Sequence, residues 1–184
     1  MPRQQPGYEP IITTVNPTGL VFCPGRFAAN SMKQAILVVD DDASGRCLLE
    51  AAFKSEAPDV AVDYVYDGKE AINYLQGKAP FEGRPTPGLM LLDLKMPQMD
   101  GFEVLEWLQR CPEVRPAYVV VFSTSDQKQD KDRAWELGAD GYLVKAMTFE
   151  NSRQQIRVLA HYAREGAWVP TGSLGLEWRR RSTG

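Results

Sequence analysis

Four groups of residues in this chain could act together on a phosphoryl group if one surface gathered them: Asp40-Asp41-Asp42, Asp93, Ser123 and Lys145. Each stands at the end of a short apolar run. Carboxylates crowded together repel, and two charges about 4 Å apart cost roughly 4 kcal/mol at an effective dielectric near 20. A bound cation relieves that repulsion. Ligands that are all oxygen, few in number and supplemented by water, suit Mg2+ better than a dedicated Ca2+ cage. A carboxylate held beside such an ion, with Lys145 and Ser123 at hand, is a competent nucleophile toward phosphorus. Metal and ammonium neutralise the charge that spreads over the equatorial oxygens. The product would be an aspartyl phosphate on Asp93. Taken singly, each group has a plainer role: an acidic turn, a hydroxyl bonded back to the chain, a solvated strand end. It is their joint arrival on one rim that argues for a site.

The surrounding elements supply that rim. Leu89-Met90-Leu91-Leu92 precedes Asp93 and reads as a buried parallel strand, followed by Met96-Pro97 and the Asp100-Gly101 turn. Ile36-Leu37-Val38-Val39 delivers the acidic triplet in the same way. Residues 60–66 form a second strand nearer an edge. Tyr118-Val119-Val120-Val121-Phe122 ends at Ser123, and Gly141-Tyr142-Leu143-Val144 ends at Lys145. Helical patterns alternate with these strands. The first carries Cys47, Leu48, Ala51, Ala52 and Phe53 as its apolar face; the second, opened by Asp67-Gly68, carries Ala71, Ile72 and Leu75. The third is capped by Asp100 and buries Phe102, Val104, Leu105 and Leu108, with Trp107 alongside. A polar helix over 127–137 is capped by Ser125 or Asp126 and stopped by Gly138. The last runs from Phe149 to about Arg164, with Ile156, Leu159, Ala160 and Ala163 on one face. The alternation predicts an α/β domain with a parallel sheet and helices on both sides. Ligands then bind at the carboxyl ends of the strands.

Of 184 residues, 43% are hydrophobic and 24% charged, with a net charge of -3. That is the profile of a globular domain, and the charge speaks against sequence-independent nucleic-acid binding. No apolar run is long enough to span a membrane, and no apolar stretch near the N-terminus resembles a secretory signal, so a cytoplasmic protein is expected. Cys23, Cys47 and Cys111 read as reduced thiols. One histidine, His161, lies in the last helix and excludes most zinc sites; it reads as a surface or groove residue.

The domain plan is an N-terminal extension over 1–34, a core over 35–165 and a C-terminal tail over 166–184. In the first, Ile11 to Val15 and Leu20 to Phe22 flank an Asn16-Pro17-Thr18-Gly19 turn and suggest a small hairpin. Trp168, Leu174, Leu176 and Trp178 in the tail suggest a segment that folds back over an apolar patch, or else docks on a partner or a second copy. Apolar residues in both extensions make a homodimer an expectation. The Gly/Pro-rich stretch 77–88 is long for a helix-to-strand connection and reads as a surface insertion.

Residues 35 to about 165 resemble the receiver domain of bacterial two-component response regulators. The matching text is Ile36 to Asp42, Leu91-Leu92-Asp93-Leu94-Lys95-Met96-Pro97, Asp100-Gly101-Phe102-Glu103-Val104-Leu105, Val121-Phe122-Ser123-Thr124-Ser125 and Gly138 to Lys145. The resemblance implies a flavodoxin-like (βα)5 fold with strand order 2-1-3-4-5, for which a receiver protein is a standard illustration. It implies that Asp93 accepts phosphate from a sensor histidine kinase. Asp41 and Asp93 would bind Mg2+ with the backbone carbonyl of Lys95, and Asp40 would act mainly through water. Ser123 would move to the phosphoryl group, Tyr142 would change rotamer and Lys145 would contact a phosphoryl oxygen. Such a protein is a stand-alone signalling phosphoacceptor whose changed surface is read by others; as an enzyme it would assist only its own phosphotransfer and dephosphorylation. The long 77–88 loop is similar to that of phytochrome-associated response regulators, which implies a phytochrome as the kinase. The chain departs from the family at Ala146, where proline usually follows the lysine, often after a cis peptide. Lys95, two residues past the acceptor, is a second departure.

Other readings fit less well. An aspartyl-nucleophile phosphatase needs a second carboxylate two residues after the first, where Lys95 stands. A flavin site needs a phosphate loop where three aspartates would repel phosphate. A receiver-fold adaptor that works without phosphorylation is the remaining alternative.

Overall fold

The computed structural model describes residues 14–15, 21–22, 35–165 and 176–178. The chain divides into two compact units, Met1–Met32 and Lys33–Gly184. In the first, β1 (Thr14–Val15) pairs antiparallel with β2 (Val21–Phe22), setting Thr14 opposite Phe22 and Val15 opposite Val21. This is the expected hairpin; its turn lies outside the described residues.

The second unit alternates strand and helix. Its elements are β3 (Ile36–Val39), α1 (Ala43–Glu56), β4 (Val62–Val65), α2 (Gly68–Leu75), β5 (Leu89–Leu92), α3 (Gly101–Arg110), β6 (Tyr118–Ser123), α4 (Lys128–Glu136), β7 (Gly141–Val144), α5 (Phe149–Glu165) and β8 (Leu176–Trp178). The sheet order is β4-β3-β5-β6-β7-β8. The first five of these strands are parallel, in the 2-1-3-4-5 order of the flavodoxin-like receiver fold. β8 is antiparallel to β7, with Gly141 opposite Trp178, Tyr142 opposite Glu177 and Leu143 opposite Leu176.

Two cores follow from the pleat. Successive strand side chains point to opposite faces. Leu37, Val39, Met90, Leu92, Val119, Val121 and Tyr142 pack with α2, α3 and Ala134 of α4. Ile36, Val38, Leu89, Leu91, Val120, Phe122 and Leu143 pack with α1 and α5. The strands are buried on both faces, which is why they read as continuous apolar runs rather than alternating ones.

Two local expectations are corrected. The buried face of α1 is Leu49, Ala52 and Phe53, while Cys47, Leu48 and Ala51 are exposed. Leu-Leu and Ala-Ala pairs offer two possible registers, and packing against α5 selects the one shared with Phe53. The N-cap of α4 is Gln127, without a side-chain hydrogen bond. Ser125 instead accepts the Gln127 N–H through Oγ at 3.4 Å and donates to Asp130 Oδ2 at 2.5 Å. The 77–88 stretch lies at the surface as expected, and it is anchored there. Phe81 packs at 5.3 Å against the Tyr74 ring, and Arg84 and the Tyr74 hydroxyl both bond Asp63 on the edge strand β4.

Helix starts facing the rim are fixed by acidic caps. Asp42 accepts the N–H groups of Ser44 and Gly45. Asp67 accepts that of Glu70. Asp100 and Glu103 form a reciprocal capping box at α3. Substituting such a cap by alanine costs about 0.5–2 kcal/mol. These caps hold the strand-to-helix loops from which the site is made.

Candidate functional site

β3 places Asp40 and β5 places Asp93 side by side, because Val39 and Leu92 are register partners and the Asp93 N–H donates to the Val39 carbonyl at 2.9 Å. Two strands further along the sheet, the Lys145 N–H donates to the Ser123 carbonyl at 2.8 Å and sets the end of β7 against that of β6. The Lys145 ammonium then reaches back across the rim. Its Nζ lies 2.5 Å from Asp93 Oδ2 and 2.8 Å from Asp40 Oδ2. Ligand oxygens of Asp40, Asp41 and Asp93 all lie within 4.8 Å of one another.

Burial sharpens the electrostatics. Asp40 is 1% exposed and Asp93 7%, whereas Asp41 faces solvent. Burial pushes the Asp40 carboxyl above the usual carboxylate range; hydrogen bonding and charge from Lys145 oppose this, and the charge of Asp93 adds to it. Burial also pulls the Lys145 ammonium down, but Asp40 and Asp93 together outweigh it and hold the group above its ordinary value. Three carboxylates face one ammonium. Asp40 Oδ2 is fully buried, with Lys145 Nζ 2.8 Å away as its counter-charge. An all-oxygen cluster of three carboxylates, in excess over that ammonium, fits a hard divalent cation.

Asp93 itself is oriented by the chain that follows it. Its Oδ1 accepts the N–H groups of Leu94 at 2.6 Å and Lys95 at 3.2 Å, leaving Oδ2 toward Lys145. The loop then turns tightly: Gln98 has φ 67°, and the Met99 N–H bonds the Pro97 carbonyl across it. Gly101 begins α3 against this loop. A Cβ there would lie 2.2 Å from the Asp93 carbonyl oxygen, so no side chain fits. The Lys145–Ala146 peptide is trans, since Ala79–Pro80 is the one cis bond among the described residues. Lys145 spans the rim without a following proline.

Ser123 is fully buried, and its Oγ accepts the Ser125 N–H at 3.3 Å. Tyr142 stands away from the carboxylates. Its ring is buried, and its hydroxyl donates to the Ser125 carbonyl at 2.9 Å. The structure therefore joins Asp40, Asp41, Asp93 and Lys145 directly, and ties Ser123 and Tyr142 to each other through Ser125. Arg46 went unnoticed in the sequence. Its guanidinium donates to the Asp40 carbonyl at 2.5 Å and stacks 4.1 Å from the Tyr66 ring. An arginine in the first turn after an acidic triplet was the available signal. His161 is exposed on α5 and takes no part.

A family model described as the response regulator receiver domain matches residues 36–157. Among curated proteins, the probable methanogenesis regulatory protein FilR2 of Methanothrix harundinacea is 33% identical over 127 residues, covering 69% of this chain and 81% of its own. Response regulator Rcp1 of Synechocystis is 30% identical over 141 residues, covering 77% and 92%. Among solved structures, the phosphorylated cyanobacterial phytochrome response regulator RcpA superposes with a TM-score of 0.68 at 28% identity, over 76% of this chain and all of that one. The Mn2+-bound form of Rcp1 gives 0.65 at 29% identity, over 75% and 99%.

Proposed function

The chain belongs to the response regulator receiver family, whose members are signalling proteins of two-component systems, and from that premise we propose that Asp93 is its phosphoacceptor. The observation that carries this is the position of Lys145, whose ammonium lies within 2.8 Å of both Asp40 and Asp93 at the carboxyl rim. Asp93 Oδ2 is the reacting atom, because Oδ1 is engaged by two backbone N–H groups. The donor is a phosphohistidine of a sensor kinase. The Oδ2–P bond forms as the P–N bond breaks; its electrons return to the imidazole, which leaves neutral with a proton on the other ring nitrogen. Lys145 then exchanges a carboxylate oxygen for a phosphoryl oxygen, and the Ser123 hydroxyl turns to donate to another.

The donor set at the rim supports a divalent cation held by Asp41, Asp93 and the backbone carbonyl of Lys95, with Asp40 acting through water. When bound, Mg2+ supplies positive charge to phosphoryl oxygens that would otherwise face three carboxylates. A Mn2+-bound relative is consistent with that set. Likeness to the cyanobacterial phytochrome response regulator RcpA supports a phytochrome as the class of sensor.

Intact mass after incubation with acetyl phosphate and Mg2+ tests the reading. One phosphate adduct is expected, absent from Asp93→Asn and absent under EDTA. No adduct, together with no binding of beryllofluoride, overturns it.

A further inference from the structure

The tail does something at β7 that the receiver plan does not require. β8 lies along β7 with Glu177 opposite Tyr142, the residue whose hydroxyl bonds Ser125. Glu177 Oε1 is 2.7 Å from Lys131 Nζ on α4. That ammonium also pairs with Asp126 and sits 5.7 Å from the centroid of the Tyr142 ring. Lys131 is only 14% exposed, so it is pinned rather than free at the surface. Tyr142 is thus held at three points: backbone by β8, ring by Lys131, hydroxyl by Ser125. Ser125 in turn gives its N–H to Ser123.

This is one connected circuit from the rim to the tail. If Ser123 turns its hydroxyl toward a phosphoryl group on Asp93, the Ser125 N–H loses its acceptor. The segment between β6 and α4 must then shift, and with it the carbonyl that holds the Tyr142 hydroxyl. β8 resists, because it fixes both the backbone of Tyr142 and, through Glu177, the position of Lys131 on α4. A strand of three residues is short, so the resistance is small enough to be overcome.

We propose that β8 is a latch on this switch: its docking on β7 and the Glu177–Lys131 contact favour the unphosphorylated arrangement, so that phosphorylation at Asp93 and latching oppose each other. The proposal rests on Asp93 being the phosphoacceptor. Linkage makes the opposition reciprocal: the factor by which unlatching tightens the acyl-phosphate state is the factor by which that state unlatches β8.

The test uses the full chain with beryllofluoride and Mg2+ as the phosphoryl mimic. Affinity is followed by titration, and exchange of the amides of residues 176–178 by NMR. Beryllofluoride is expected to accelerate exchange in β8. Glu177→Gln is expected to accelerate it without ligand and to tighten beryllofluoride binding by about fivefold to tenfold, the low end of typical coupling. Leu176→Pro, which fixes φ and removes a backbone N–H within the three-residue strand while keeping the whole chain, is expected to tighten it at least as much; its thermal unfolding reports whether the domain remains folded. Lys128→Ala, on the exposed side of α4, should change neither reading. Beryllofluoride binding with unaltered β8 exchange and unaltered affinity in both tail variants overturns the latch and leaves the phosphoacceptor reading standing. Absence of beryllofluoride binding in every variant overturns both.

Discussion

Two ion clusters mark this domain, and their ratios of charge are inverse. At the carboxyl rim, Asp40 and Asp93 share the ammonium of Lys145, with the Asp41 carboxylate clustered beside them. Across α1 and α5, Glu56 takes both Arg153 and Arg157 at 2.5 Å, with Arg164 on Asp59 beside them. The contacts are equally short, yet they serve opposite ends. Between these helices, Glu56 and Asp59 each have at least one guanidinium. Removing such a cluster loosens a joint. At the rim, negative charge is in excess and two of its carriers are buried. That arrangement lowers stability until a cation or a phosphoryl group alters the balance. Short ion pairs therefore say little by themselves; the ratio of charges and their burial separate a joint from a site.

The contrast can be broken most forcefully at its pivot. Lys145→Met leaves two buried carboxylates facing each other without a counter-ion. Unfolding in urea should show a loss of about 3–5 kcal/mol, the usual cost of orphaning a buried charge, and part of it should return on adding Mg2+. A variant as stable as the natural chain would place the rim in the same class as the helix joint.

A smaller effect is expected where the loop carrying Asp93 meets α3. Gly101→Ala forces a methyl against the Asp93 carbonyl oxygen. It should cost about 1–3 kcal/mol by overpacking and reduce the yield of phosphate adduct. The same exchange at Gly77, where a Cβ meets nothing within 4 Å but φ is +62°, should destabilise without touching the adduct.

The most delicate comparison is one of sign against pH. The Asp40 carboxyl sits above the usual range, so the folded chain holds that proton more tightly than the unfolded one. Its ionisation costs stability as pH rises from the ordinary carboxylate range through the raised value. Glu56 is the reverse. Hydrogen bonds from Arg157 and Arg153 hold it down from 4.5 to about 2. Its contribution is full above about 4.5 and is lost as pH falls toward about 2. Asp40→Asn should accordingly raise stability at neutral pH, by about 1 kcal/mol, and lower Mg2+ affinity. Glu56→Gln should lower stability at neutral pH, with the difference closing in acid. Thermal melts of both variants from pH 2 to 7 give the two slopes; equal signs would erase the distinction.

The rim residues were legible in sequence because each terminates an apolar run buried on both faces. Leu92 before Asp93 and Phe122 before Ser123 leave no room for another register. The face of α1 was not legible. Leu48 and Leu49 are equivalent to any periodicity count, and only contact with α5 separates them. β8 was invisible for a different reason. Leu176-Glu177-Trp178 is too short to carry a pattern, and its partner β7 lies on the far side of α5 in the chain. Serine or aspartate before a polar helix usually caps it, which is what the sequence suggests for Ser125 or Asp126. The actual bonds of Ser125, to Asp130 and from the Tyr142 hydroxyl, depend on the third dimension.

The sixth strand also bears on how the protein would behave in a test tube. β7 is an apolar strand whose outer edge is satisfied by β8. Trimmed to residues 36–157, the span that the family model covers, the chain would present that edge bare, with backbone donors and acceptors ready to pair with any extended neighbour. β8 thus covers the outer edge of the sheet as well as bearing on the latch proposed above, and loss of residues 176–178 is expected to raise self-association, which light scattering would show.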